Sequence, residues 1–172
     1  MSAEHERGPH TLVALPDDAV LLPLLAGVRE GGQPVIERVP ARAVGDGRYR
    51  LLQGGLFAPG IASGDVIALS GSQPGAYRVL QRAGHLSVRL FARTDIDALA
   101  ERLLPLWEQL GGWLEVRSPR ALLLGIHVAV GFREIEGLLA RELPEGALWR
   151  YGNVYDPDTG APLGWWDDLL NP

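Results

Sequence analysis

Lysine and cysteine are both absent from this chain of 172 residues. All sixteen basic residues are arginine, which excludes Schiff-base and other amine-nucleophile catalysis by a lysine side chain. A genome rich in GC base pairs explains the same bias without any selected chemistry. The absence of cysteine excludes disulfides, zinc-thiolate sites and thiol catalysis, and it leaves the redox compartment of the protein undetermined.

Long apolar segments are also missing. No apolar run approaches the ~20 residues that a membrane-spanning helix needs, so we expect no membrane partner. Residues 1–10 are polar and acidic and lack the apolar core of a secretion signal, which predicts a cytoplasmic protein. Apolar residues make up 47% of the chain and charged residues 22%, as in an ordinary globular protein that folds alone.

Positive charge is too sparse for nucleic-acid binding. The formal net charge is -5, and the arginines are scattered singly, so no basic stripe is available to neutralise a run of phosphates. The four histidines lie at positions that give no metal-ligand spacing. We therefore expect no nucleic-acid partner, no metal and no other cofactor.

The first half of the chain consists of short apolar runs separated by turn residues. Gly45-Asp46-Gly47 predicts a tight hairpin between strands at residues 35–39 and 48–53. Further strands are predicted at residues 66–70 and 77–81. Short strands with tight turns predict a small antiparallel β-barrel-like unit, or a strongly curled sheet, over residues 10–84.

The second half, residues 85–155, has the order strand, helix, strand, strand, helix, strand. This is the order of a ferredoxin-like βαββαβ unit, so the predicted fold class is α+β. The first helix is expected to begin with Thr94 as its N-cap, and the second to begin at Phe132. Each helix has one apolar stripe, which predicts that both pack on the same face of an antiparallel sheet.

Three segments carry a resemblance to a known family. They read "VPARAVGDGRYRLLQGGLFAPGIASGDVIAL" at residues 39–69, "AGHLSVRLF" at 83–91 and "LGGWLEVRSPRALLLGIHV" at 110–128. Over residues 35–155 the chain resembles a bacterial domain-of-unknown-function family, the one numbered 4265. The family has threonine in place of Ser87, and its asparagine-proline-aromatic segment reads "QGGLFAP" here. Because the family has no established activity, the resemblance implies a fold and domain limits, and no mechanism.

Polar side chains on one face of the strand at residues 85–91 are the first candidate site. Asp65, His85 and Ser87 are the residue types of a nucleophile-base-acid triad. Ser87, however, lies on a regular strand rather than on the sharp turn that such nucleophiles occupy. The alternatives are a polar ligand-binding face formed by these three residues with Arg89, or a sheet face that is merely solvated.

Aromatic side chains near the C-terminus are the second candidate site. Trp149 and Tyr151 share one face of the last predicted strand, and Trp165 and Trp166 follow in the tail, residues 156–172. Tryptophan is enriched at contact surfaces, so these four residues are candidates for binding a partner. The alternative is that the tail folds back, docks on the second unit and covers that strand.

Two functions of different classes follow. The absence of a complete catalytic set favours a non-catalytic binding or protein-interaction module, with an unknown protein or small molecule as its partner. The alternative is a small hydrolase-like enzyme that uses His85 with Ser87 or Asp65.

Overall fold

The structure is a computed structural model, and it describes residues 10–11 and 14–172 of the chain. The predicted polar start, up to residue 9, lies outside this part. The described residues form two five-stranded antiparallel sheets and a small number of helices. The fold is therefore mixed α and β, and antiparallel sheets dominate it.

The first sheet is built from the first half of the chain. Its strands, in spatial as well as sequence order, are β2 (Ala19–Val28), β3 (Pro34–Gly45), β4 (Arg48–Leu51), β5 (Val66–Leu69) and β6 (Tyr77–Gln81). The predicted hairpin joins β3 to β4, and Asp46 adopts the positive φ of 52° that such turns require. Within the described residues β2 and β6 are the edges, so this sheet is open and no closed barrel forms.

The second sheet is built mainly from the second half. Its strands are β1 (His10–Thr11), β7 (His85–Phe91), β8 (Trp113–Ser118), β9 (Ala121–His127) and β10 (Leu148–Tyr151). They lie side by side in the order β1-β8-β9-β7-β10, and every neighbouring pair is antiparallel.

Two helices cover one face of the second sheet. They are α1 (Asp97–Gln109) between β7 and β8, and α2 (Phe132–Glu142) between β9 and β10; a short third helix, α3 (Asp167–Leu170), lies near the C-terminus. Alternate residues of β7 share a single core with both helices, in a cluster that includes Leu86, Val88, Leu90, Leu103, Trp107, Ile135 and Leu139. No helix of the described residues is long and apolar enough to cross a membrane.

The start of α1 differs from the prediction. Thr94 is not its N-cap, because the helix begins at Asp97 and the preceding residue, Ile96, makes no side-chain capping bond. Instead Asp95 Oδ1 accepts the N–H of Asp97 at 2.8 Å. Ile96 between them is fully buried in the core beneath the helices.

The C-terminal segment packs against the second half of the chain. Trp165 Nε1 donates to the carbonyl oxygen of Asn153 at 2.8 Å. The ring of Trp166 stands edge-on to Phe132, with 5.2 Å between centroids. Both tryptophans are half-buried beside the core of the second sheet.

Gly125 of β9 offers a test of how tightly this sheet is packed. A Cβ at this position would overlap the Trp113 ring and lie 2.5 Å from Glu115 Oε2. We expect Gly125→Ala to lower the free energy of unfolding by about 1–3 kcal/mol, since overpacking forces side chains out of their rotamers. Urea denaturation measures the change.

Gly137→Ala in α2 is the matched control. The nearest atom to its added Cβ is Arg141 Nη1 at 3.5 Å, an ordinary contact. Alanine favours a helix over glycine by up to about 1 kcal/mol, so this variant should be as stable as the original protein or more stable. Equal stability of the two variants would contradict the packing described for β9.

Candidate functional site

The segment between β4 and β5 lies between the two sheets. We call residues 53–60 the junction loop. Most of its residues are buried, although it has no regular secondary structure. Buried backbone N–H and C=O groups require hydrogen-bond partners, and charged side chains from both sheets supply them here.

Glu37 of β3 binds the junction loop from the first sheet. Its Oε1 accepts the N–H of Leu56 at 2.8 Å, and its Oε2 accepts the N–H of Phe57 at 2.8 Å and of Ala58 at 3.4 Å. Three consecutive backbone donors therefore converge on one carboxylate. Hydrogen bonds to an ionised acceptor are stronger than those between neutral groups, so Glu37 fixes the course of the loop.

Arg89 of β7 binds the same loop from the second sheet. Its Nε donates to the carbonyl oxygen of Gly55 at 3.1 Å, and its Nη2 donates to that of Ala58 at 2.6 Å. The side chain is 8% exposed, and this burial lowers the pKa of Arg89 while the charge of Glu37 opposes the shift. The guanidinium thus donates these two hydrogen bonds to neutral carbonyl groups rather than to a carboxylate.

Glu115 of β8 is the third charged residue that bonds the loop. Its Oε1 accepts the N–H of Gly54 at 2.6 Å, and its Oε2 accepts the indole N–H of Trp113 at 2.8 Å. The residue is 5% exposed, and burial raises the pKa of Glu115; bonds from Gly54, Trp113 and Ser63 and the charge of His85 oppose the rise. Glu115 of the second sheet is therefore bonded to the segment between β4 and β5 through the N–H of Gly54 and the side chain of Ser63.

Asp65 accepts hydrogen bonds from backbone N–H groups near the start of β5. Its carboxylate accepts the N–H groups of Ala62 and Ala83, each at 3.0 Å, and Arg82 Nη1 lies 3.4 Å away. Burial raises the pKa of Asp65, and these bonds together with the Arg82 charge oppose the rise. The oxygens of Asp65 are occupied by turn contacts, so it does not orient His85 as the acid of a triad would.

His85 contacts Ser63 rather than Ser87. Its Nδ1 lies 2.8 Å from the carbonyl oxygen of Ser63 and 3.2 Å from the Ser63 hydroxyl. The shorter contact is to a pure acceptor, so Nδ1 carries a hydrogen and donates it. A nitrogen that donates in this way does not accept the hydroxyl proton of Ser63.

Ser87 is enclosed by backbone. It is 2% exposed, and its Oγ has no hydrogen-bond partner in the described part of the chain. A Cβ added to Gly54 or to Gly152 would lie 3.0 Å from this oxygen. Ser87 and Arg89 both lie beneath the junction loop, so the interpretation of this strand face as merely solvated is wrong.

Arg89, one of the four predicted ligand-binding residues, lines a sizeable cleft. The cleft has a volume of about 600 Å³ and opens between the junction loop and β10. Its walls include Pro59, Arg89, Trp149, Arg150, Tyr151, Tyr155 and Asp156. We call this space the Arg89 cleft.

A second cavity lies on the α2 side of β10. It has a volume of about 450 Å³, and Glu136 and Ala140 of α2 form one wall. Trp149, Arg150 and Tyr151 line both spaces. We call this second space the α2 cavity.

The predicted aromatic residues divide into two groups. Trp149 and Tyr151 are packed edge-on, with 5.0 Å between ring centroids, and they face both spaces. The Tyr151 hydroxyl donates to Glu136 Oε1 at 3.1 Å, and burial raises the pKa of Tyr151. Trp165 and Trp166 are instead used in packing within the chain.

Sequence reasoning missed Glu37, Ser63 and Glu115. A signal for Glu115 was present, since a carboxylate interrupts the otherwise apolar run "WLEV". The doubled glycine at residues 54–55 was a second signal, because glycine permits close approach to backbone N–H groups. No cluster of three metal-ligating side chains occurs among the residues that the structure describes.

These features define a mixed α and β protein with a cleft beside the junction of its two sheets. Residues 37–151 match the model of a family described as Domain of unknown function (DUF4265). The match spans more than half of the chain, so the chain belongs to this family. The resemblance in the sequence is thereby confirmed.

A solved structure shares the fold. It is the crystal structure of a hypothetical protein from Neisseria gonorrhoeae, and it superposes with a TM-score of 0.61. The alignment covers 81% of this chain and 96% of that one at 15% sequence identity, so the likeness concerns the fold alone. No curated protein matches the chain.

The unpaired hydroxyl of Ser87 leads to a stability prediction. We expect Ser87→Ala to leave the free energy of unfolding unchanged or to raise it by up to about 1 kcal/mol, because it removes a buried polar atom without a partner. Ser63→Ala is the control, since Ser63 bonds His85 and Glu115, and its loss should cost about 1 kcal/mol. Urea denaturation of both variants measures the two changes in stability. A lower free energy of unfolding for Ser87→Ala would contradict the prediction, because it would show that the Ser87 hydroxyl makes a stabilising contact.

The burial of Glu115 leads to a pH prediction. Because its pKa is raised above the ordinary value of 4.5, the folded protein holds this proton more tightly than the unfolded chain does. The resulting stabilisation is fully present below pH 4.5 and is lost as pH rises through the raised pKa. Relative to Glu115→Gln, the original protein should therefore gain stability as pH falls from about 7 to about 5.

Thermal unfolding of both proteins over this pH range measures the effect. Asp65 is common to both, so its contribution cancels in the difference. The prediction fails if the stability difference between the original protein and Glu115→Gln stays constant or shrinks as pH falls. Either result would show that folding does not raise the pKa of Glu115.

Proposed function

We propose that the protein is a non-catalytic binding module whose ligand occupies the Arg89 cleft. One observation carries the proposal, namely the buried guanidinium of Arg89 in the wall of an open cleft. Within the described residues no carboxylate lies within salt-bridge distance of it. A buried charge without an ionic partner is costly, so an anionic group in the cleft would be stabilised there.

The charges and rings of the cleft define the ligand further. Arg89 and Arg150 contribute two positive charges, against one carboxylate from Asp156. Asp156 Oδ1 already accepts the N–H groups of Asp158 and Thr159 at 2.8 Å and 2.9 Å. Pro59 and Tyr155 also line the cleft and offer apolar surface near the arginines, so the expected ligand joins an anionic group to an apolar portion.

The finer fold assignment belongs to the same proposal. The order β8-β9-β7-β10, with α1 after β7 and α2 after β9, supports a ferredoxin-like βαββαβ unit at residues 85–155. Residues 10–84 would then be a separate β-rich unit and residues 156–172 a tail that docks on the second unit. The Arg89 cleft would lie where these two units meet.

The hydrolase alternative lacks comparable support. It requires a serine hydroxyl within hydrogen-bond reach of the accepting nitrogen of His85, whereas the serine that contacts His85 is Ser63, which lies beside the donating Nδ1. It also requires an accessible nucleophile, and Ser87 is enclosed. Both observations favour binding over hydrolysis.

Titration with the anionic aromatic dye 1-anilinonaphthalene-8-sulfonate tests the binding proposal. The full-length protein should bind one dye molecule saturably, and Arg150→Glu should weaken binding about tenfold or more, since each factor of ten corresponds to about 1.4 kcal/mol. Tyr155→Ala should weaken it as well, because Tyr155 lines the cleft. Fluorescence measures the binding, and circular dichroism confirms that each variant is folded.

Arg78→Glu is the control for charge reversal. Arg78 is an exposed arginine of β6 in the first sheet and does not line the cleft. The Arg78→Glu variant should bind the dye with the same affinity as the original protein. Absence of saturable binding, or equal binding by all variants, would contradict the proposed site.

A further inference from the structure

The strand β10 is an open edge of the second sheet. In the described part of the chain it pairs only with β7, and the register places Arg150 opposite Arg89. Two positions along, beyond the pair of Tyr151 and Val88, the N–H of Gly152 donates to the carbonyl oxygen of Ser87 at 2.7 Å. Hydrogen-bonded pairs alternate along antiparallel strands, so the N–H and C=O groups of Trp149 and Tyr151 point away from β7.

The two faces of this edge each carry a cavity. The Arg89 cleft lies on the junction-loop face, and the α2 cavity lies on the helix face. Successive side chains of an added strand point to opposite faces. An extended chain lying along β10 would therefore place alternate side chains into the two spaces.

We propose that β10 binds an extended acidic polypeptide segment, which adds to the second sheet as a further strand. This inference rests on the proposed function, since it names the class of ligand for the Arg89 cleft. The free backbone groups of Trp149 and Tyr151 supply the main-chain bonds, and the two cavities receive alternate side chains.

The acidic character follows from a cross-strand pair of like charges. Arg89 and Arg150 are directly opposite on the junction-loop face, an arrangement of like charges that is unfavourable in itself. A carboxylate between the two guanidinium groups would relieve this repulsion. The α2 cavity contains Glu136 and aromatic rings, so the neighbouring side chain of the segment is apolar or polar and carries no negative charge.

A second copy of the chain is a poorer occupant of this edge. Antiparallel pairing of two β10 strands would bring Arg150 of both copies to the same face, where the existing repulsion with Arg89 would increase. A small carboxylic acid is also poorer, because it would leave the N–H and C=O groups of Trp149 and Tyr151 without partners. An acidic segment satisfies both the charges and the edge.

The test is a selection of phage-displayed random peptides against the full-length protein. We expect enriched peptides to contain Asp or Glu between β-branched residues, and a synthetic copy of one such peptide to bind Arg150→Glu about tenfold more weakly or worse, with Arg78→Glu unaffected. N-methylation of alternate residues of the peptide should abolish binding for one set of positions and spare the other. Amide exchange at Trp149 and Tyr151 should slow when the peptide binds.

Each other outcome overturns the inference. Failure to enrich acidic peptides, equal tolerance of N-methylation at both sets of positions, or self-association through β10 would each reject strand addition. If the dye still binds in an Arg150-dependent way, the proposed function stands while strand addition fails. If neither the dye nor a peptide depends on Arg150, both proposals fail.

Discussion

The placement of the two sheets depends on hydrogen bonds between charged side chains and the main chain of the junction loop. Glu37 accepts three consecutive N–H groups, Glu115 accepts one more, and Arg89 donates to two carbonyl groups. Buried peptide groups and buried charges are each costly without partners. Here the charged side chains and the peptide groups of the loop are hydrogen-bond partners of each other. The loop can therefore pass between the sheets without forming a helix or strand of its own.

What the sequence predicted depended on short separations along the chain. The family, the hairpin at Asp46 and the order of elements after His85 all follow from local pattern. The turn role of Asp65 was also predictable, since one of its bonds reaches Ala62, three residues away. The Glu115 bond to Gly54 spans 61 residues, and periodicity carries no information on such a contact.

Two expectations failed for related physical reasons. The alternating polar residues of β7 indicate only that one face of the strand points away from the helices. They do not show whether water reaches that face, and Ser87 and Arg89 on it are buried. Short strands with tight turns predicted a barrel-like unit or a strongly curled sheet, and no closed barrel forms among the described residues. The structure has β3 as a strand of twelve residues, with register shifts near Gly27 and Gly45, in an open sheet. Local signals predicted the strands but did not determine how the sheet closes.

The bond between Gly54 and Glu115 has a consequence for cooperativity. Among the described residues the two larger apolar clusters lie under the helices and within the first sheet, and a small third cluster packs Leu56 of the junction loop against the second sheet. Independent unfolding of either cluster would leave a charged side chain and several peptide groups at the junction without their hydrogen-bond partners. This loss raises the free energy of every half-folded state. The two clusters should therefore melt in one transition, and the slow step of folding is expected to include closure of contacts distant in sequence.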